Sequence, residues 1–150
     1  MIAAYAQDLV NKINTVTALV GKVGTAVGGT NADPLMLQAP VPFAFVVFNN
    51  DTSMDAQPDG RKYQLVRYHF MVGIHQEYAT TPGWQDNMMN TTYPLLESVR
   101  SVINGKIGPN SANTNLRWEY GGQDLIFQDQ GRVIYIQQYS IVALNVTTTD

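Results

Sequence analysis

Cysteine is absent from the 150-residue chain, which excludes disulfides and thiolate metal sites. Charge is scarce as well: Asp, Glu, Lys and Arg make up 14% of the residues, against about a quarter in an ordinary soluble domain. Nine Lys and Arg against twelve Asp and Glu leave a net charge of −3. That balance argues against a binder that holds nucleic acid by neutralising phosphates, which needs clustered cations. A pore through which DNA merely passes remains compatible with it. No window approaches about 18 consecutive apolar residues, so no membrane span is expected. The start, Met-Ile-Ala-Ala-Tyr-Ala-Gln-Asp, carries no basic segment and meets Asp8 before any long apolar run. It is not expected to act as a secretory signal.

What fills the polar positions instead is Asn, Gln and Thr. A polar but weakly charged surface generates little like-charge repulsion and suits stacking against many copies of a partner; it also suits an ordinary exposed surface. The length fits one domain, and a globule of this size buries about 68–70% of its unfolded surface.

Ile2, Tyr5, Leu9, Ile13, Val16, Val20, Val23 and Val27 step by three or four, one face of an amphipathic helix. Gly21 and Gly24 weaken its far end and Gly28-Gly29 should stop it. Residues 28–42 read as an extended Gly/Pro-rich connector. Phe43-Ala-Phe-Val-Val-Phe48 is apolar on both faces, the pattern of a central strand. Residues 49–61 form an acidic polar loop with Asp51, Asp55, Asp59 and the turn signal Pro58-Asp59-Gly60. Lys62–Tyr78 alternates, with Val66, Tyr68, Phe70, Val72 and Ile74 on one side and Arg67, His69 and His75 on the other. This predicts a long half-buried strand, extending as a ribbon beyond the core.

Met88, Met89, Tyr93, Leu96, Val99 and Ile103 keep helical spacing, and Pro94 either kinks that helix or restarts it after Thr92. Gly105–Asn115 reads as a loop. Strands over Leu116–Tyr120, Asp124–Gln128 and Arg132–Asn145 follow, divided by Gly121-Gly122 and by Asp129-Gln130-Gly131. The fold class is therefore α+β: a single domain whose antiparallel sheet is packed by an N-terminal amphipathic helix and a second helix.

The chemical motifs fail in turn. His69 and His75 share a strand face but lie roughly 20 Å apart, too far to share a metal ion. Gly21-Lys22-Val23-Gly24-Thr25 lacks a glycine at position 16 and a hydroxyl after Lys22, both needed in a phosphate loop. The spacing of Asp51, Asp55 and Asp59 misses the calcium-loop offsets and leaves at most a weak surface Mg²⁺ site. No nucleophile elbow occurs. No catalytic residue, cofactor or metal is expected, so the chain is read as a non-enzyme. Trp84, Trp118, Tyr120, Tyr135 and Tyr139 could stack ligands or bases, although such aromatics more often pack a sheet or a subunit contact.

The element order, the Phe43–Phe48 strand running into an acidic loop, and Trp118-Glu-Tyr-Gly-Gly122 followed by Gly131-Arg-Val-Ile-Tyr-Ile-Gln-Gln-Tyr-Ser140 resemble the tail terminator proteins of long-tailed bacteriophages. The resemblance implies a structural virion protein, assembled in the host bacterial cytoplasm. Its subunits would form a ring, a homohexamer, that caps the head-proximal end of the tail tube. The ring would stop tube polymerisation and present a joining surface to the neck. Implied partners are further copies of the chain, the tail tube protein, neck and sheath proteins, and DNA only as passing cargo. Candidate interface or lumen residues are Asn50, Asp51, Asp55, Asp59 and Arg61 in the acidic loop, Arg67 and His69 on the long strand, and Trp118 and Tyr120. Two readings compete with this one: a neck or head-completion connector, and a small ligand-binding domain with a pocket lined by Trp118, Tyr120 and Tyr139.

Overall fold

The computed structural model describes residues 2–25, 41–53, 63–77, 88–109, 116–129 and 131–146. Helix α1 spans Ile2–Ile13 and buries Tyr5, Leu9 and Ile13. Its flank carries two i,i+4 pairs, Gln7 to Asn11 at 2.8 Å and Lys12 to Asp8 at 2.7 Å. The apolar spacing that predicts a helix to Val20 and beyond outlasts the helix itself. After Ile13 the Asn14 side chain accepts the Gly21 N–H at 2.7 Å, and Gly21 takes φ +73°. A short 3₁₀ turn at Thr17–Leu19 lies between them. The chain then turns into strand β1, Val23–Thr25, which pairs in parallel with residues 44–46. Val20, expected on the buried face, is 58% exposed. Backbone pairing at the sheet edge outcompetes a helix already weakened by β-branched residues and Gly21.

One five-stranded sheet follows, in the order β1-β2-β3-β5-β4. Strand β2 is Phe43–Ser53, β3 is Tyr63–Glu77, β4 is Glu119–Asp129 and β5 is Arg132–Val146. All pairings except β1–β2 are antiparallel, so the sheet is mixed rather than purely antiparallel. Phe43–Phe48 is internal as expected. Asn49–Ser53, expected in the acidic loop, instead prolong β2 and pair with β3 as far as Ser53 opposite Val66. Asp55, Asp59 and Arg61 lie outside the described residues, as does the connector up to residue 40. β3 is no projecting ribbon: it is the central strand, paired with β5 along its whole length, and Val66 at its far end is still buried.

The glycine pair in the last third does not turn the chain. β4 runs straight through Gly121-Gly122, where the register against β5 slips between Tyr120 and Gly122. Gly122 adopts φ +121°, which other residues rarely reach, so the pair makes a β-bulge. The hairpin lies one signal later, with Asp129 opposite Arg132. Two expected short strands are thus a single long one.

A π turn, Met88–Thr92, leads into helix α2, Tyr93–Ile103. Pro94 sits in the first turn, where its missing N–H costs no helical bond, so the helix restarts after Thr92. Leu95, Leu96, Val99 and Ile103 pack with α1 on one side of the sheet against Val46, Phe70, Val72, Tyr139 and Ile141. Among the described residues the opposite side holds a smaller cluster from the strands, Phe45, Val47, Ile134 and Ile136. The described residues therefore form an α+β unit with both helices on one face.

Candidate functional site

The face of the sheet away from the two described helices divides into two halves. Near the β4–β5 hairpin it is apolar, with Phe43, Met71 and Phe127 around the strand cluster. Toward the other end it turns polar, because β2 changes from Phe-Val-Val-Phe to Asn-Asn-Asp-Thr-Ser. The pairing aligns Asn50, His69, Ser140 and Glu119 in one row across β2, β3, β5 and β4. Arg67, one strand repeat further, donates to Glu119 at 2.7 Å and to Ser140 at 3.0 Å. His69 Nε2 meets the Thr52 hydroxyl at 3.2 Å. A cleft of about 220 Å³ opens between Asn49, His69, Met71, Gln138 and Ser140, beside Gly121. Bulges in both flanking strands, after Phe48 on β2 and after Tyr120 on β4, fall at this level.

Asn50, Arg67 and His69 are thus brought together, the first exposed and the others half-buried, whereas Asp51, paired with Tyr68, is exposed on the other face of the sheet. Trp118 departs from the expectation. It is fully buried, its indole N–H donates to Asp8 at 2.8 Å, and its ring stands edge-on to Tyr5 and Phe70. Asp8 bridges that N–H and the Lys12 ammonium, so one carboxylate fastens α1 to the chain entering β4. Within the chain Trp118 is core, not surface.

Tyr120 is half-buried under Arg100, whose guanidinium carbon stands 4.1 Å from the ring centre. It also packs against Tyr139 at 5.7 Å. The Tyr139 hydroxyl donates to Gln137 at 2.6 Å, and the Gln137 amide donates to the Leu96 carbonyl and to Gln123. Burial holds the Tyr139 phenol well above its ordinary range; nearby Tyr120 adds to this and Arg100 opposes it. Gln137 is buried at an inward position of β5 and ties that strand to α2. Sequence reasoning passed over Asp8 and Gln137. The available signal was one polar residue at an inward position of an otherwise apolar strand.

Thr52 and His69 make a hydroxyl–imidazole pair, but among the described residues no carboxylate orients the ring as a nucleophile–base system requires. Among the described residues no group of three His, Cys, Asp or Glu side chains could hold a metal ion. Tyr120 and Tyr139, expected as pocket walls in the ligand-binding reading, pack against each other, while Trp118 is buried in the core. A shallow groove of about 450 Å³ runs between Thr15–Ala18 and α2, lined by hydroxyls and short apolar side chains without charge. No described helix is long and apolar enough to cross a membrane.

No family model and no curated protein matches the chain. Solved structures do. A chain from the virion of a native gene transfer agent particle superposes with a TM-score of 0.56 at 12% identity, covering 94% of this chain and 96% of that one. A second structure, also at 12% identity, covers 99% of this chain and 94% of its own, but its TM-score of 0.48 is too low to carry an argument. The protein shares its fold, over nearly the full length of both chains, with a chain from a gene transfer agent virion.

Proposed function

We propose that the protein is a structural component of a phage-like virion, acting as a ring that closes the head-proximal end of a tail tube. The observation that carries this reading is the likeness to the gene transfer agent virion chain, which spans 94% and 96% of the two chains. The sequence resemblance to tail terminators points the same way. So does the exposed end of β2, Asn49–Ser53, which is polar and carries a single charge, Asp51.

The mechanism is geometric. One ring face matches the last ring of tube protein, the other offers no such match, and growth stops. A closed ring needs a heterologous contact whose rotation returns to its start, and six copies is the number the resemblance implies. DNA crosses the lumen as cargo, and the neck docks on the free face. Sheath protein is a further neighbour if the tail contracts.

Purified particles test the reading in two steps. Mass spectrometry should find the chain in the virion, at a copy number near that of one ring. Particles made without it should carry tails of abnormal length that fail to join heads. Normal, head-joined tails in its absence would overturn the terminator role. Copies bound to the portal and not to the tube would make the protein a neck component instead.

A further inference from the structure

The two sheet edges carry opposite charge at the same level. On the β4 side, Arg100 in the last turn of α2 and Lys106 and Arg117 beyond it are exposed. Arg100 lies over Tyr120 and Arg117 donates to the Gly105 carbonyl at 2.8 Å, but among the described residues none of the three is ion-paired with a carboxylate. Lys12 and Arg67, by contrast, each hold one. Glu97, one turn back on α2, makes no pair with Arg100, and Glu119 is taken by Arg67. Of the chain's nine cations, these three stand near the start of β4 without a carboxylate partner among the described residues. Helix-dipole complementarity accounts for Arg100 alone.

Across the sheet, β1 covers β2 only over residues 44–46. Beyond it Asn49–Ser53 are exposed, and among the described residues Asp51 has no ion pair. The register sets the heights. Asn50 stands in the row of Glu119, so Thr52, in the row of Arg67 and Val142, stands level with the position two residues before Glu119, which is Arg117. The sheet is about 14 Å wide there, three strand spacings.

We infer that the Arg100–Lys106–Arg117 corner of one copy docks on the Asp51 end of β2 in the next copy. This rests on the ring reading and supplies its contact. Rotation about an axis along the strands preserves height, so two complementary patches at one level on opposite edges can meet head to tail around a closed ring. A self-complementary dimer would need both patches on one edge. A DNA occupant would need cations in greater number than three in a chain of net charge −3. Interfacial charge pairs of this sort steer association and reject wrong register.

The test is a charge swap in the full chain, read by sedimentation velocity and by electron microscopy of tube ends, with thermal unfolding as the control for folding. Lys106→Glu with Arg117→Glu should weaken ring formation at least tenfold, and Asp51→Lys alone should do the same. All three changes in one chain should restore assembly to within about threefold of the natural protein. If Lys106→Glu/Arg117→Glu disturbs the Gly105 turn and melts early, Lys106→Gln and Asp51→Asn replace it, each expected to weaken assembly about threefold. Rings that form equally well in the reversed variants overturn the contact and leave the ring intact. Failure of the triple variant to recover, or duplex DNA binding lost with the corner while rings persist, also overturns it. A natural protein that forms no ring, either in solution or on tube ends, overturns the ring reading and the contact with it.

Discussion

Gly73 offers a sharp test of how this sheet is packed. It lies buried at the middle of β3, opposite Phe45 on β2 and Ile136 on β5. Mid-strand glycine is ordinarily unfavourable by about 0.5–1 kcal/mol. Here a Cβ would run into the Phe45 ring, which lies across the glycine and is itself only 8% exposed. Gly73→Ala should therefore overpack the site, costing about 1–3 kcal/mol, less the strand gain, for a net loss of about 1–2 kcal/mol. At about 2–4 °C per kcal/mol for a chain of this size, the midpoint should fall by several degrees. The decisive measurement is a double-mutant cycle by thermal or urea unfolding. In a Phe45→Leu background the ring is gone, and Gly73→Ala should be neutral or stabilising by about 0.5 kcal/mol. Equal destabilisation in both backgrounds would show that the ring does not decide the choice of glycine.

Leu9→Ala and Ile13→Ala, both fully buried on the inner side of α1, should each cost about 2–5 kcal/mol in urea unfolding; values near zero would mean that α1 is peripheral. Asp8→Ala strands the buried indole N–H of Trp118 and should cost about 1–3 kcal/mol, and measurably less in a Trp118→Phe background, where no N–H is left unsatisfied. Burial raises the Tyr5 and Tyr139 phenols above their ordinary 10.0 in the folded chain. The folded state thus holds these protons more tightly, so the associated stability is fully present below about pH 10 and is lost as the unfolded phenols ionise above it. Thermal midpoints should decline from there, and less steeply in Tyr139→Phe; an unchanged decline would assign the alkaline loss elsewhere.

Periodicity made much of this protein legible. Tyr5, Leu9 and Ile13 at helical spacing, the alternation Val66–Ile74, the helix restart at Pro94 and the α+β class are local patterns, and each maps to the burial that the fold displays. What periodicity could not decide was competition between local signals and distant partners. Val20 and Val23 continue the helical spacing, yet the edge of β2 draws residues 23–25 into the sheet. Gly121-Gly122 has the composition of a turn, yet β5 holds both flanks in line and leaves only a bulge. Asn49–Ser53 looks like loop, yet an open β3 edge pairs it. The same reason applies to the candidate surface. Residue types alone nominated Asp51, Arg67, His69 and Trp118 alike. Only strand register, which joins residues far apart in sequence, buries Trp118 against Asp8 and sets Arg117 level with Thr52 across the sheet.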